Sequence, residues 1–237
     1  MQKYLIFGAT GSVGSNLATQ LSQANKEIHL IGRNAIELEK LSSELGCDYT
    51  VLDILSDDIY ENLKNNFDDI DLAGIAYCIG SIDLKPLEKT NKEDFQKCLK
   101  LNFFPIIEVI KAFQDNLKKN KGSIVLFSTV AVQRGFINHS IIASVKGAIE
   151  GLTVSLAAEL APNIKVNCIA PSLTNSKITE AILKNKIMSE GIAKVHPMKR
   201  IGEGKDSAAM AKFLLTKESS WITGQIIGVD GGRSTLA

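Results

Sequence analysis

The stretch Tyr4-Leu5-Ile6-Phe7-Gly8-Ala9-Thr10-Gly11-Ser12-Val13-Gly14 decides how the rest of the chain is read. An apolar run breaks into three glycines, and residues 15–24 continue with helical spacing. A strand that turns sharply into a helix builds an anion cradle. Glycines let the backbone bend and approach a pyrophosphate, whose charge meets the free N–H groups and positive dipole end of the helix. Three glycines alone also make ordinary turns; a strand before them and a helix after them favour nucleotide binding through Gly8, Thr10, Gly11, Ser12, Val13 and Gly14.

Working outward, the chain alternates short apolar runs with amphipathic stretches. With residues 4–7, the runs 27–31, 48–52, 71–79, 123–127, 164–169 and 225–229 make seven strands. The stretches 35–45, 57–67, 91–119, 140–160 and 206–215 read as helices. Strands that are apolar throughout need cover on both faces, which predicts an α/β architecture: a Rossmann-type doubly wound, seven-stranded parallel sheet in three layers, with residues 1–237 as a single domain. The long helix 91–119 is expected to be interrupted at Pro105, whose ring clashes with the carbonyl of Leu101 and opens the ladder beside Asn102. The segment 172–203, with Lys184, Lys186, Lys194, Lys199 and Arg200, reads as a solvated, mobile surface insertion or as a substrate lid.

Composition narrows the partners. The chain has 237 residues, 45% hydrophobic and 22% charged, with a net charge of +1. That suits one domain with a sizeable core, and it provides no field to recruit nucleic acid or an anionic membrane. Cys47, Cys78, Cys98 and Cys168 have neither CxxC nor Cys/His spacing, so they read as reduced, mostly buried thiols of a cytoplasmic protein without a metal site. The opening residues lack the succession of a signal peptide, and no stretch is expected to supply the roughly 20 apolar residues of a membrane span.

Taken together, the chain resembles the short-chain dehydrogenase/reductase family, and most the compact branch containing the 3-oxoacyl-carrier-protein reductases. The likeness covers nearly all 237 residues. Its marks are the glycine turn, Asp53, Asn102, Ser128-Thr129, Lys146, Val166-Asn167, Ala170-Pro171-Ser172, Ile222-Thr223-Gly224-Gln225 and Asp230-Gly231-Gly232. The resemblance implies that Asp53 meets an adenine, although an aspartate ending a strand is also a common turn residue or cap. It implies that Ile79 and Gly80 line the dinucleotide, that Lys146 reaches the nicotinamide ribose, and that Pro171, Ser172 and Leu173 align the nicotinamide while Thr174 or Ser176 meets the pyrophosphate. It also implies that Asn102 helps hold a relay water and that the helix 140–160 builds a homo-oligomer, dimer or tetramer. Arg33 lies about 20 residues past the glycine turn, where NAD enzymes place a carboxylate. A guanidinium there pairs with a 2′-phosphate, which favours NADP(H) over NAD(H); the alternative is a solvated arginine at a helix start.

One departure concerns the chemistry. The family uses a serine, a tyrosine and a lysine, the tyrosine four residues before the lysine and the serine thirteen before the tyrosine. Here these positions hold Thr129, Ile142 and Lys146. Thr129 keeps a hydroxyl able to polarise a carbonyl, but Ile142 cannot transfer a proton, and a positioned general acid is worth about 10²- to 10⁴-fold. His139 stands seven residues before Lys146, the spacing of the tyrosine in the related enoyl-reductase branch, and an imidazole titrating near 6.5 is a stronger acid than a phenol near 10. It is the candidate donor; Ser140, Ser144 and Tyr77 are weaker ones. Tyr77-Cys78-Ile79-Gly80 also replaces the family's Asn-Asn-Ala-Gly, and Pro171-Ser172 its Pro-Gly. The expectation is an NADP(H)-dependent oxidoreductase moving hydride to or from a small carbonyl or alcohol. Its rival is a weakly active or inactive dinucleotide-binding sensor.

Overall fold

Along the first strand, burial alternates between two cores. Leu5 and Phe7 enter one apolar cluster and Tyr4 and Ile6 the other, so the strand has no solvent face. That is the signature of a central strand in a parallel sheet covered by helices on both sides. The computed structural model describes residues 2–67 and 69–236. In chain order the elements are β1 (Lys3–Phe7), α1 (Ser12–Gln23), β2 (Glu27–Gly32), α2 (Ala35–Leu45), β3 (Asp48–Val51), α3 (Ile59–Asn66), β4 (Leu72–Tyr77), α4 (Lys92–Asn102), α5 (Phe104–Asn120) and β5 (Ser123–Phe127). They continue with α6 (Ala131–Arg134), α7 (Ser140–Leu160), β6 (Lys165–Pro171), β7 (Thr174–Asn175), α8 (Glu180–Leu183), α9 (Lys186–Val195), β8 (Gly202–Glu203), α10 (Gly204–Leu215) and β9 (Ile226–Val229).

Seven strands form the expected parallel sheet in the order β3-β2-β1-β4-β5-β6-β9. The order reverses between β1 and β4, and the crevice at such a switch point is where open α/β sheets bind ligands. Ile59 and Leu63 of α3, Ile106 and Phe113 of α5 and Ile149 and Leu160 of α7 fill one layer. Leu17 and Leu21 of α1, Leu38 of α2 and Ala208, Ala211 and Leu214 of α10 fill the other.

One expectation needs correction. Residues 91–119 are not one helix broken at Pro105: α4 opens with a capping box between Asn91 and Asp94 and ends at Asn102, and Phe103 (φ −119°, ψ −60°) separates it from α5. Pro105 lies in the first turn of α5, where a missing N–H costs nothing, so its effect falls on the turn before it. The Leu101 carbonyl receives the Tyr77 hydroxyl in a long contact of 3.4 Å. The segment 172–203, expected as a surface insertion or a lid, holds α8 and α9 and returns through β8, which pairs with β7. The 21-residue α7 is long and apolar enough, by length and composition, to cross a membrane. It packs on β5 and β6, and a buried core helix passes the same test.

Close packing at the glycine turn yields a paired prediction. A Cβ on Gly14 would stand 2.3 Å from the Gly8 carbonyl oxygen, whereas one on Gly151 of α7 would meet nothing within 4 Å. Gly14→Ala should therefore destabilise by about 3 kcal/mol. Gly151→Ala should stabilise by about 0.5–1 kcal/mol. Urea midpoints that move equally, or in the opposite sense, would contradict this account of the turn.

Candidate active site

At the end of β1, Gly8 adopts φ +75°, a left-handed conformation that suits glycine. The Gly8 and Ala9 amides donate to the Ile31 carbonyl (2.9 and 3.1 Å), tying the turn to the end of β2. On the other side, a Cβ on Gly8 would come within 3.0–3.1 Å of Ile79 Cγ1, Ile79 N and the Cys78 carbonyl carbon, so the chain leaving β4 presses on the turn. Gly11 caps α1 with no side-chain bond to its first amides, and the first turn carries no acidic residue. The helix thus presents uncapped donors at its positive end, the arrangement an anion needs.

The two residues expected beside the adenosine lie at the rim. Arg33 is exposed between β2 and α2, with no hydrogen bond or ion pair among the described residues. Asp53 is exposed past β3, and its Oδ1 accepts the Leu55 amide at 3.0 Å, which is the turn-forming role of such an aspartate.

At the opposite end, three expected residues converge. Lys146 of α7 is buried and its Nζ donates to the Phe127 carbonyl at 2.9 Å. Asn102, completely buried, accepts the Ser81 amide through Oδ1 at 3.1 Å and donates through Nδ2 to the Cys98 carbonyl and to Ser81 Oγ, both at 3.0 Å. A Cβ on Gly80 would lie 3.2 Å from Asn102 Oδ1 and 3.4 Å from Lys146 Nζ, so this glycine lets both groups approach the end of β4. Burial lowers Lys146 to about 8. Burial drives Cys78 and Cys168 up to about 12, which leaves their thiols protonated and inert near neutrality.

Of the two hydroxyls after β5, Ser128 is buried and donates to Glu150 Oε1 at 2.6 Å; burial raises the Glu150 carboxyl. Thr129 is partly exposed, and its Oγ1 accepts the Ala131 amide at 3.3 Å. Ile142 is 3% exposed, packed with Cys98, Ile141 and Val145 beneath Phe95, Leu99 and Phe103. No proton-carrying group stands at the tyrosine position. His139 is the cap of α7 rather than part of it (φ −99°, ψ 8°), so its alignment with Lys146 is set by the approach to the helix and not by helical register. Its Nδ1 donates to the Ile137 carbonyl at 2.8 Å and its ring leans on Phe136, with Nε2 the remaining nitrogen.

The loop after β6 brings in contacts that sequence reasoning missed. Pro171 accepts the Val130 amide (3.1 Å), joining this loop to the Thr129 turn. Ser172 Oγ lies 2.8 Å from Nε2 of the buried His196, whose Nδ1 lies 2.7 Å from the Ile192 carbonyl. A carbonyl only accepts, so Nδ1 carries the proton and Ser172 donates to Nε2. Ser172 and His196 share a cavity of about 340 Å³ with Met198, Arg200 and Asp230. Thr174 Oγ1 donates to the Ser172 carbonyl (2.9 Å), Leu173 accepts the Gly202 amide (3.0 Å), and Ser12 Oγ donates to the Asn175 carbonyl (2.9 Å). Lys177 pairs with Glu37 at 2.5 Å. The one signal for His196 was its place before Pro197; Lys177 carried none. Among the described residues, no group of three or more His, Cys, Asp or Glu is placed to hold a metal.

A doubly wound parallel sheet with a glycine turn at its switch point defines the class: a Rossmann-type α/β domain with a crevice on the carboxyl edge of its sheet. The family description enoyl-(acyl carrier protein) reductase matches residues 8–234. A tropinone reductase homolog of Arabidopsis thaliana is 31% identical over 97% of this chain and 74% of its own. A 3-oxoacyl-(acyl-carrier-protein) reductase of Rickettsia bellii is 31% identical over 98% and 96%. The solved short-chain type dehydrogenase/reductase from Mycobacterium ulcerans superimposes with a TM-score of 0.90 at 28% identity, covering 98% of this chain and 90% of that one. The chain belongs to the short-chain dehydrogenase/reductase family.

The buried ammonium makes a pH-resolved prediction. Lys146 titrates at about 8 in the fold against 10.5 when unfolded, so below pH 8 the fold carries the full cost of a buried charge, on the order of 3 kcal/mol. Between pH 8 and 10.5 the unfolded chain holds the additional proton, and the cost fades as pH rises. Lys146→Met loses the bond to Phe127, worth about 1 kcal/mol, and should still be about 2 kcal/mol more stable than wild type at pH 7. That advantage should be largely gone at pH 10 in urea denaturation. A loss at pH 7, or a gain that does not depend on pH, is the outcome against it.

Proposed function

We propose that this chain is an NADP(H)-dependent oxidoreductase that transfers hydride to or from a carbonyl or alcohol carbon. The observation that carries the reading is the convergence of Lys146 and Asn102 over Gly80, beside a glycine turn whose helix presents uncapped amides. A pyrophosphate fits the cradle of Gly8, Thr10, Gly11, Ser12, Val13 and Gly14, where a Cβ at residue 14 would collide with backbone. Asp53 takes the adenine and Arg33 the 2′-phosphate. Ile79, Gly80, Pro171, Ser172 and Leu173 wall the nicotinamide half, Thr174 or Ser176 meets the pyrophosphate, and Lys146 holds the ribose hydroxyls. When bound, the nicotinamide supplies or accepts the hydride. Thr129 polarises the carbonyl, Asn102 retains a relay water and His139 donates the proton through its uncommitted Nε2. Curated relatives named as reductases support the reaction class. Solved structures of this fold titled with NADP or NADPH bound are compatible with the cofactor.

The rival reading, a dinucleotide-binding sensor with little turnover, is favoured by one observation: the apolar packing around Ile142 leaves no acid at that position. We further propose a cytoplasmic homo-oligomer. Its support is one face of α7 on which Ser144, Gly151, Val154, Ser155 and Ala158 are all exposed, too apolar and small for a purely solvated surface.

Two measurements test these readings. NADPH is expected to bind more tightly than NADH, and Arg33→Ala should remove about tenfold of the difference; equal affinities that the substitution leaves unchanged would end the NADP reading. On a panel of carbonyl compounds, His139→Ala should lower kcat by about 10²-fold or more. A wild type inert on every compound, with Ile142→Tyr gaining turnover, would make the sensor reading the correct one.

A further inference from the structure

We infer that Lys177 is a second cofactor-specificity residue, reaching the 2′-phosphate of NADP(H) from the loop after β6 and leaving Glu37 to do so. This rests on the NADP reading above and adds to it a side chain from the far end of the chain. The strap that carries Lys177 is already docked across the dinucleotide cleft. Ser12 Oγ, in the glycine turn, donates to the Asn175 carbonyl at 2.9 Å, and two residues further on the Lys177 ammonium meets Glu37 Oε1 at 2.5 Å. The strap thus runs from the pyrophosphate cradle to the first turn of α2. That turn follows directly on Arg33 and the helix cap Asn34, whose side chain accepts the Glu37 amide. One lysine and one arginine are therefore brought to the same corner by residues 144 positions apart in the chain.

The exchange is favourable in magnitude. The Lys177 and Glu37 side chains are 76% and 37% exposed, and an ion pair so open to water holds by only a few-fold in an equilibrium constant. A doubly charged phosphate offers Lys177 a charge-assisted contact worth about tenfold, with Arg33 on its other side. Glu37 is then the opposing element, a carboxylate that competes for the lysine and repels the phosphate.

The test uses the full chain and reads binding rather than turnover. NADPH and NADH are titrated by nicotinamide fluorescence, and 2′,5′-ADP and 5′-AMP as competitors isolate the adenosine end. Lys177→Ala should weaken NADPH and 2′,5′-ADP about tenfold and leave NADH and 5′-AMP within twofold, which also reports an intact fold. Lys177→Arg should keep the preference, and Glu37→Gln should tighten NADPH a few-fold. If Arg33→Ala erodes the preference but Lys177→Ala does not, Lys177 has no part in it and the NADP reading stands. If Lys177→Ala weakens NADPH and NADH alike, the lysine only fastens the strap, and the inference falls. If neither substitution changes the ratio, the NADP reading fails first.

Discussion

Everything in this molecule is referred to one close approach, that of the Gly14 backbone to the Gly8 carbonyl. With no side chain between them, α1 starts directly above the end of β1, and the positive end of the helix faces the carboxyl edge of the sheet. The ends of β2 and β4 are registered to the same turn through the Ile31 carbonyl and the backbone of Cys78 and Ile79. Because β1 is central and buried on both faces, that registration extends strand by strand to β9. The cleft is a consequence of the sheet's switch point, and the loops around it are free to vary.

The chemical half of the cleft is assembled from more distant parts. Lys146 reaches the Phe127 carbonyl only because α7 lies across β5 and β6, and Asn102 turns inward because α4 stops there. At that helix end Asn102 bonds back to the Cys98 carbonyl and across to Ser81. Against this rigid frame the apolar side chain of Ile142 is a substantive change. It belongs to the seam between α4 and α7, where Phe95, Leu99 and Phe103 pack against its cluster.

How much was legible in advance depended on the range of the forces involved. The strands were readable because both-sided burial leaves unbroken apolar runs, as in residues 4–7 and 123–127. Gly80 and Lys146 were readable from their place in a known pattern. The opening beside Asn102 was readable because proline acts on the turn before it; that the opening becomes a full break at Phe103 into two helices was not. The helix 140–160 was legible with its start, so the seven-residue spacing of His139 to Lys146 spans the cap and is not set by helical register alone. The contacts of Lys177 and His196 were not legible: their partners lie 140 and 24 residues away, and no local spacing encodes such a meeting.

One rod, α7, serves two masters. Its inner side holds Lys146 and Val145, and its outer side carries Ser144 and Gly151, which lie about two helical turns apart. A helix of 21 residues, about 32 Å long, does not bend to accommodate a shift on one side without moving the other. A displacement of its outer side therefore carries the Lys146 ammonium with it.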